Sequence, residues 1–159
     1  MQNVPAKRGQ SHRLRRARWS QPNQLYHLRL CTRRRIPAFL DFQAARTVVR
    51  CMRTKERHGH ASTVAFVVMP DHVHWLCSLG YTMSLSKLVA SLKADVSFAL
   101  RGRDDLPRPL WQTGYFDRGI REFEDSVGVA RYIVMNPVRA GLVRTVREYP
   151  HWDCIWVRN

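Results

Sequence analysis

Two histidines, His72 and His74, stand two residues apart in the segment VVMPDHVHWLCSLG. The apolar residues around them alternate, which predicts a β-strand with Val73 and Trp75 on its packed face. Because successive side chains of a strand point to opposite faces, the two imidazoles share the other face, with Cα atoms about 7 Å apart. Imidazoles placed in this way can both reach one divalent cation. The alternative is a pair of hydrogen-bonded surface histidines.

A second pair with the same spacing, His58 and His60, surrounds Gly59. Gly59 predicts a flexible turn after a helix, and a metal site needs ligands on a rigid element, so we assign this pair to a loop. Asp71 precedes the first pair and follows Pro70. It is either an outer partner of the histidines or a turn residue, and we favour the turn.

The segment ARYIVMNPVRAGLV supplies a candidate nucleophile. At helical spacing, Tyr132 and Asn136 lie one turn apart on the same face. The phenol of Tyr132 could attack an electrophile, and the carboxamide oxygen of Asn136 could join the two histidines on a metal. Pro137 disfavours a helical conformation for Asn136, so we expect a distorted last turn. Tyr132 equally suits a structural position on an amphipathic helix, and four other tyrosines are nearly as eligible: Tyr26, Tyr81, Tyr115 and Tyr149.

The rest of the chain alternates between strand and helix patterns. LYHLRLCT, STVAFVVM and PDHVHWLCSL predict strands, and WQTGYFDRGIR predicts a further short strand or hairpin. Helical spacing of apolar residues runs through residues 41–59, 84–102 and 124–135. This order predicts an α+β fold, a ferredoxin-like sandwich with a mainly antiparallel central sheet and helices on one side. We predict a basic N-terminal arm, residues 1–24, and a single catalytic domain, residues 25–159.

The charge of the chain indicates a polyanionic partner. The net charge is +15 on 159 residues, and no acidic residue precedes Asp41. Arginines interleaved with Trp19 and Tyr26 favour nucleic acid, through phosphate contact and base stacking. The alternatives are a solvated basic face and an anionic membrane surface. The arginines of this region that we predict to contact DNA are Arg13, Arg15, Arg16, Arg18, Arg33, Arg34 and Arg35.

A second group of aromatic and basic residues follows in the C-terminal half. Its rings and arginines could form a surface that stacks on unpaired bases and contacts phosphates. A hydrophobic mini-core with solvated arginines would use the same residues. Here we predict DNA contacts from Trp111, Tyr115, Arg118, Arg121 and Arg139.

Several classes of protein are disfavoured by what the sequence lacks. It has no apolar run of about 18 residues and no apolar stretch near its start, so we predict neither a transmembrane helix nor a secretory signal. The 4 cysteines lie far apart, which favours reduced structural thiols in a cytoplasm. Their spacing fits no closed tetrahedral site, so a structural zinc module is a weak alternative.

Three segments in order, VVMPDHVHWL, LWQTGYFDRGIRE and ARYIVMNPVRAGLV, resemble the REP-associated tyrosine transposases. These are single-tyrosine HUH nucleases related to small insertion-sequence transposases, and the resemblance covers about residues 25–150. It implies that His72, His74 and Asn136 bind the metal and that Tyr132 is the nucleophile. Val73 fits the hydrophobic middle position of the HUH motif.

One segment departs from the family pattern. The family carries an Arg-Gly-Asn-type segment after its first strand, whereas CTRRRIPAFLD keeps the basic character without the glycine. This difference concerns DNA contacts and leaves the implied chemistry unchanged.

The resemblance implies a transesterification on single-stranded DNA at REP-type hairpins, through a 5′-phosphotyrosine intermediate and with Mg²⁺ or Mn²⁺. It also implies a cytoplasmic, nucleoid-associated bacterial protein, favoured as a monomer, with a homodimer as the alternative. The rival function is a domesticated protein that binds DNA or RNA hairpins without cutting them.

Overall fold

The computed structural model describes residues 20–121 and 123–157. The described end of the predicted arm, residues 20–24, is fixed to the domain. The amide of Leu85 donates to Ser20 Oγ at 3.0 Å, and the amide of Asn23 donates to the carbonyl of Leu79 at 2.8 Å. Four predicted DNA contacts lie outside the described residues: Arg13, Arg15, Arg16 and Arg18.

In the described part of the chain, five strands form one antiparallel sheet in the order β4-β1-β3-β2-β5. In chain order they are β1 Leu25–Cys31, β2 Ala61–Met69, β3 His72–Leu79, β4 Phe116–Ile120 and β5 Trp152–Cys154. A tight turn at Pro70 and Asp71 joins β2 to β3. The strand that carries the histidine pair is therefore central, with β1 and β2 as its neighbours.

The helices are α1 Phe42–Arg57, α2 Leu85–Ala99, α3 Phe123–Val134 and the short α4 Asn136–Arg139. Side chains of Asp41 and Ser84 cap the first two, accepting from the amides of Ala44 and Lys87. Within the described ranges, no helix is long and apolar enough to cross a membrane. The predicted α+β class with a mainly antiparallel central sheet is confirmed.

One face of the sheet packs against α1 and α2 through a continuous apolar core. The largest fully buried side chains of this core include Trp75 and Leu28 from the sheet and Phe39 from the connection to α1. The alternation predicted for β3 is present, because Val73, Trp75, Cys77 and Leu79 all lie in this core.

The opposite face is also covered, so the expectation of helices on one side is correct only for α1 and α2. Ala130, Ile133 and Val134 of α3 pack there against Val67 and other apolar residues of β2 and β3. The physical reason lies in β2, whose residues 64–69, VAFVVM, include no polar side chain and must be covered on both sides. This second layer brings α3 over the face on which the histidines lie.

Candidate active site

The structure places His72 and His74 on the face of β3 that α3 covers. Their rings pack edge to face, with centroids 4.9 Å apart. His74 is 4% exposed, whereas His72 is partly exposed. Because β3 is hydrogen-bonded on both sides, the two imidazoles are held at fixed positions, as a metal site requires.

Each histidine of the pair has a hydrogen-bonding partner at Nδ1. The Nδ1 atom of His72 lies 2.6 Å from Oδ1 of Asp71, and that of His74 lies 2.9 Å from Nε2 of His27 on β1. Arg35 holds Asp71 by donating from Nε to Oδ2 at 2.8 Å. Asp71 is thus the turn residue that we favoured and also an outer partner of the histidines.

His27 and Arg29 lie at the site, but the prediction of site residues from the sequence did not include them. Arg29 lies directly opposite His74 in the antiparallel register of β1 and β3. The signal is present in LYHLRLC, because its alternation puts His27 and Arg29 on one face. Periodicity does not reveal, however, that β1 is the neighbour of β3.

The three histidines are kept neutral by their surroundings. Burial lowers the pKa of His27 to about 4, and the charges of Arg29 and Arg118 act in the same direction. Burial also holds the pKa of His74 well below its usual range, with nearby histidines and arginines adding to the effect. The pKa of His72 is lowered by burial although its carboxylate partner opposes the shift. Neutral imidazole is the form that binds a metal.

Tyr132 projects from α3 beside the histidine pair. The centroid of its ring lies 6.2 Å from that of His74, and the two rings are nearly perpendicular. The residue is 52% exposed, so a substrate can approach it. Arg139 of α4 stacks on the ring, with Cζ 3.9 Å from the centroid, and a guanidinium on a ring face holds that ring in place.

Two other tyrosines that we considered as nucleophiles have structural positions. Tyr26 is 6% exposed and lies in the core of the opposite face. The hydroxyl of Tyr149 donates to the carbonyl of Val68 at 2.7 Å, and burial raises its pKa to about 12. Neither phenol is placed to attack a substrate at the histidine pair.

Asn136 lies where α3 gives way to α4. A turn at Met135 separates the two helices, so the expected distortion of the last turn is present. The side-chain nitrogen of Asn136 donates to the carbonyls of Tyr132 and Ile133, at 3.2 and 3.0 Å. A helix leaves such carbonyls unpaired at its C-terminus. With its nitrogen committed to α3, the carboxamide presents its oxygen as the group suited to a cation.

The residues present fit a catalytic metal with an open coordination shell. Among residues 20–121 and 123–157, no three His, Cys, Asp or Glu side chains are grouped to hold a metal ion. A cation would therefore take two imidazoles and complete its shell with oxygen ligands, the neutral oxygens of Asn136 and water or an anionic phosphate oxygen. The partners at Nδ1 of His72 and His74 leave each Nε2 atom for the cation. A structural zinc site would instead be closed by four protein ligands.

Arginines surround this constellation. Arg118 on β4 lies opposite His27 in the register with β1, and Arg29 lies with its Cζ 5.4 Å from the ring centroid of Phe116. With Arg139 over the tyrosine, they form a cationic border around the histidines. Such a border favours a phosphodiester, whose charge the arginines can balance.

The two aromatic residues predicted to stack on bases, Trp111 and Tyr115, differ in how deeply they are buried. Trp111 is 8% exposed, donates from Nε1 to the carbonyl of Lys93 at 3.1 Å and packs against Phe39. Its ring belongs to the core, which is the alternative given for this segment, and is not available to a base. Tyr115 is partly buried against the same core.

The three arginines after β1 are exposed but unequal. Arg35 is engaged with Asp71, and Arg33 donates to the carbonyl of Arg108 at 3.1 Å. Arg34 and Arg35 have φ angles of 55° and 58°, in the left-handed region that favours glycine. Arg34 and Arg35 belong to CTRRRIPAFLD, the segment that lacks the family's glycine. Their backbone conformation is one that glycine would adopt without strain.

A groove of 1060 Å³ runs along the edge strand β4 and meets the site at Arg29 and Cys31. Arg121, Tyr115 and Phe116 line it together with amide and hydroxyl side chains such as those of Gln24, Gln112, Thr113 and Ser86. Aromatic rings beside arginines in an open groove suit an unpaired nucleic-acid strand.

Comparison with known proteins places the chain in a family. Residues 20–136 match the family described as "Transposase IS200 like", and the chain belongs to this family. A curated protein of Haemophilus influenzae, provisionally named a REP-associated tyrosine transposase, is 26% identical over 104 residues. The match covers 59% of this chain and 59% of that relative, so the chain spans about three fifths of the relative's length. The resemblance to REP-associated tyrosine transposases is confirmed.

Two solved structures have the same fold. One is a REP-associated tyrosine transposase bound to a REP hairpin, with a TM-score of 0.71 and 23% identity over 85% of this chain and 79% of that one. The other is a provisionally assigned transposase from Deinococcus radiodurans, with a TM-score of 0.53 and 22% identity over 80% of this chain and 95% of that one. Membership of the family supports a DNA transposase or nuclease activity.

Proposed function

We propose that this protein is a metal-dependent nuclease and strand transferase that acts on single-stranded DNA at REP-type hairpins. The observation that carries the proposal is the placement of an exposed tyrosine beside two neutral, strand-borne histidines, with ring centroids of Tyr132 and His74 6.2 Å apart. A phenol next to a two-imidazole cation site can attack a phosphodiester without ATP. The REP hairpin held by the solved neighbour supports the choice of substrate.

In the proposed reaction, the Oη atom of Tyr132 attacks the scissile phosphorus. A bond from Oη to phosphorus forms as the bond from phosphorus to the 3′-oxygen breaks, which leaves a 5′-phosphotyrosine and a free 3′-hydroxyl. The phenol proton passes to solvent, and the departing 3′-oxygen takes up a proton. Attack by a 3′-hydroxyl on the phosphotyrosine reverses these bond changes and joins DNA strands.

His72 and His74 would hold Mg²⁺ or Mn²⁺, with Asn136 as the third protein ligand. When bound, the cation supplies Lewis-acid polarisation of the phosphate and charge stabilisation at the leaving oxygen. Arg29 and Arg118 contribute positive charge for the same phosphate from the sheet. Arg139 keeps the phenol of Tyr132 oriented by stacking on it.

The groove along β4 would guide the flanking single strand to the site. Arg121, Phe116 and Tyr115 offer one phosphate contact and two aromatic surfaces there. In this proposal the protein acts as a monomer in the bacterial cytoplasm, associated with the nucleoid. Light scattering with and without a hairpin oligonucleotide tests the monomer, because a second chain would double the measured mass.

The deciding experiment is a cleavage assay on single-stranded DNA that carries REP-like hairpins, with Mn²⁺ or Mg²⁺. Covalent protein–DNA adducts are resolved on a denaturing gel for the wild type and Tyr132→Phe. The matched control is Tyr81→Phe, because Tyr81 is another exposed tyrosine. We expect a metal-dependent adduct in the wild type and the control, and none in Tyr132→Phe.

Other outcomes separate the rival readings. An adduct that persists in Tyr132→Phe would show that another residue is the nucleophile, and Tyr115→Phe would be tested next. Tight hairpin binding without an adduct under either metal would show that the protein is a non-catalytic hairpin binder.

A further inference from the structure

His27 is a buried histidine at the site, and the proposed reaction gives it no role. It is 9% exposed, and the ring of Phe116 packs edge-on against it with centroids 5.9 Å apart. Its Nε2 atom lies 2.9 Å from Nδ1 of His74. Two neutral imidazoles in direct contact share one proton, so one ring must donate and the other must accept.

The neighbouring ligand shows how a ring at this site is held. Nδ1 of His72 lies 2.6 Å from Oδ1 of Asp71, and an ionised carboxylate can only accept. Nη2 of Arg35 also lies 3.4 Å from this nitrogen. A guanidinium can only donate, so it competes with the carboxylate for the same atom, but its contact is the longer of the two. The carboxylate contact therefore sets the tautomer. His72 carries its proton on Nδ1 and presents the lone pair of Nε2.

We propose that His27 does for His74 what Asp71 does for His72. Nε2 of His27 accepts the hydrogen bond from Nδ1 of His74, and this holds the Nε2 lone pair of His74 toward the cation. His27 is a positioning residue, since it acts through His74. This inference rests on the proposed function for the cation, whereas the direction of the hydrogen bond does not depend on catalysis.

The role of His74 as a ligand requires this direction. A neutral imidazole has one N–H and one lone pair, and the lone pair must lie at Nε2 for that atom to bind a cation. The proton of His74 then lies on Nδ1, which faces Nε2 of His27 at 2.9 Å.

A neutral partner also suits the substrate. The negative charge of Asp71 is balanced by Arg35, which lies 2.8 Å from it. A second carboxylate at the position of His27 would add negative charge close to the expected phosphate. An imidazole accepts the same hydrogen bond without repelling the substrate.

The test compares two substitutions of His27 in the full chain. His27→Gln places a carboxamide oxygen near the position of Nε2 and keeps an acceptor, whereas His27→Leu removes it. The control, His58→Leu, removes an exposed histidine from the loop after α1. Two quantities are measured: the tautomer of His74 in the metal-free protein, by long-range ¹H–¹⁵N NMR of the imidazoles, and Mn²⁺ affinity, by electron paramagnetic resonance of the free ion.

We expect the Nδ1–H tautomer of His74 in the wild type, the control and His27→Gln. In His27→Leu we expect a shift toward the Nε2–H tautomer and a loss of Mn²⁺ affinity of about tenfold or more, the usual size of an outer-partner effect. His27→Gln should stay within about threefold of the wild type, because it keeps the acceptor. A substitution that only loosens the fold would not move the tautomer in this way.

An Nε2–H tautomer of His74 in the wild type would overturn the inference even if His27→Leu failed to fold. Wild-type Mn²⁺ affinity in a folded His27→Leu would overturn it as well. If the affinities differ as expected but no variant forms an adduct with DNA, the inference stands and the proposed nuclease function fails. If the wild type binds no Mn²⁺, both the metal site and this inference are wrong.

Discussion

The face of the sheet that packs on α1 and α2 buries an unbroken apolar surface, whereas the face under α3 is apolar only in part. On the first face, β1 and β3 contribute Leu28, Leu30, Val73 and Trp75 to one core. On the second face, the same two strands contribute His27, Arg29, Cys31, His72 and His74, and β2 supplies much of the apolar contact with α3.

Within one strand, the residues on the first face therefore stabilise the fold, and those on the second face are available for chemistry. Every second side chain of β1 and β3 packs in the larger core. The side chains between them lie outside that core, but the backbone of the same strand holds them in position. A strand buried on one side can therefore carry polar groups on the other at defined spacing. Adjacent residues of one strand should then respond to substitution in opposite ways.

The largest expected effects come from a pair of neighbours on β3. Trp75→Ala should lower the free energy of unfolding by about 3–5 kcal/mol, because it empties a fully buried ring position in the larger core. His74→Gln should cost about 1 kcal/mol or less, since a carboxamide keeps most of the volume and polarity, yet it should abolish adduct formation. Urea unfolding and the adduct assay measure the two quantities. A similar loss of stability in both variants would show that the two faces are not separate.

Removing one border arginine should have a smaller effect, confined to DNA. Arg29→Gln should weaken binding to a hairpin oligonucleotide and reduce the slope of log affinity against log salt concentration by about 1, because one phosphate contact is lost. The matched control is Arg53→Gln, on the exposed side of α1. Salt titrations by fluorescence anisotropy measure both slopes. Equal slopes for the two variants would place DNA elsewhere on the surface.

A strained turn offers a gain in stability. Arg34 is exposed and has φ 55° and ψ 21°, so Arg34→Gly should raise the free energy of unfolding by up to about 1 kcal/mol. Arg34→Ala, which keeps the strain and removes the same charge, should give no such gain. Chemical unfolding of both variants measures the difference, and an equal change in both would show that the charge and not the backbone is responsible.

The smallest expected effect is a dependence of stability on pH at the far edge of the sheet. Burial, with Arg46 nearby, lowers the pKa of His151 below its usual value of about 6.5. The unfolded chain therefore takes up the proton first, and the free energy of unfolding falls as the pH drops below about 6.5 toward the lower pKa of the folded state.

The test of this effect is His151→Phe, which keeps an aromatic ring against Phe42 and Tyr149. The loss of stability between about pH 7.5 and pH 5.5 should be smaller in this variant than in the wild type. His58→Phe, at an exposed histidine, should keep the wild-type loss. Unchanged pH dependence in His151→Phe would show that other groups account for the slope.

Much of the fold was predictable because its elements have strong periodic patterns. The segments predicted as β1, β2, β3, α1 and α2 all form where expected, and the shared face of His72 and His74 follows from the strand period alone. The distortion at Asn136 follows from Pro137. These inferences depend only on neighbours in sequence.

The rest depends on neighbours in space, which periodicity does not supply. The sequence does not show that β1 lies beside β3, so it does not show that His27 contacts His74. Nor does it show that Trp111 reaches the core, since its strand-like segment is short and its burial depends on Phe39 and Lys93. The helix α3 was predicted, but its position on the second face was missed for the same reason, although the apolar run of β2 contains the signal.

The two halves of the site arrive at different times during synthesis. His72 and His74 lie in the first half of the chain, whereas Tyr132 follows on α3, after both larger helices. A ribosome therefore releases the sheet residues that would hold the cation well before the residue that would cut. Because domains complete their folding only when their last elements have emerged, an unfinished chain would hold the histidines without Tyr132 and could not carry out the proposed cleavage.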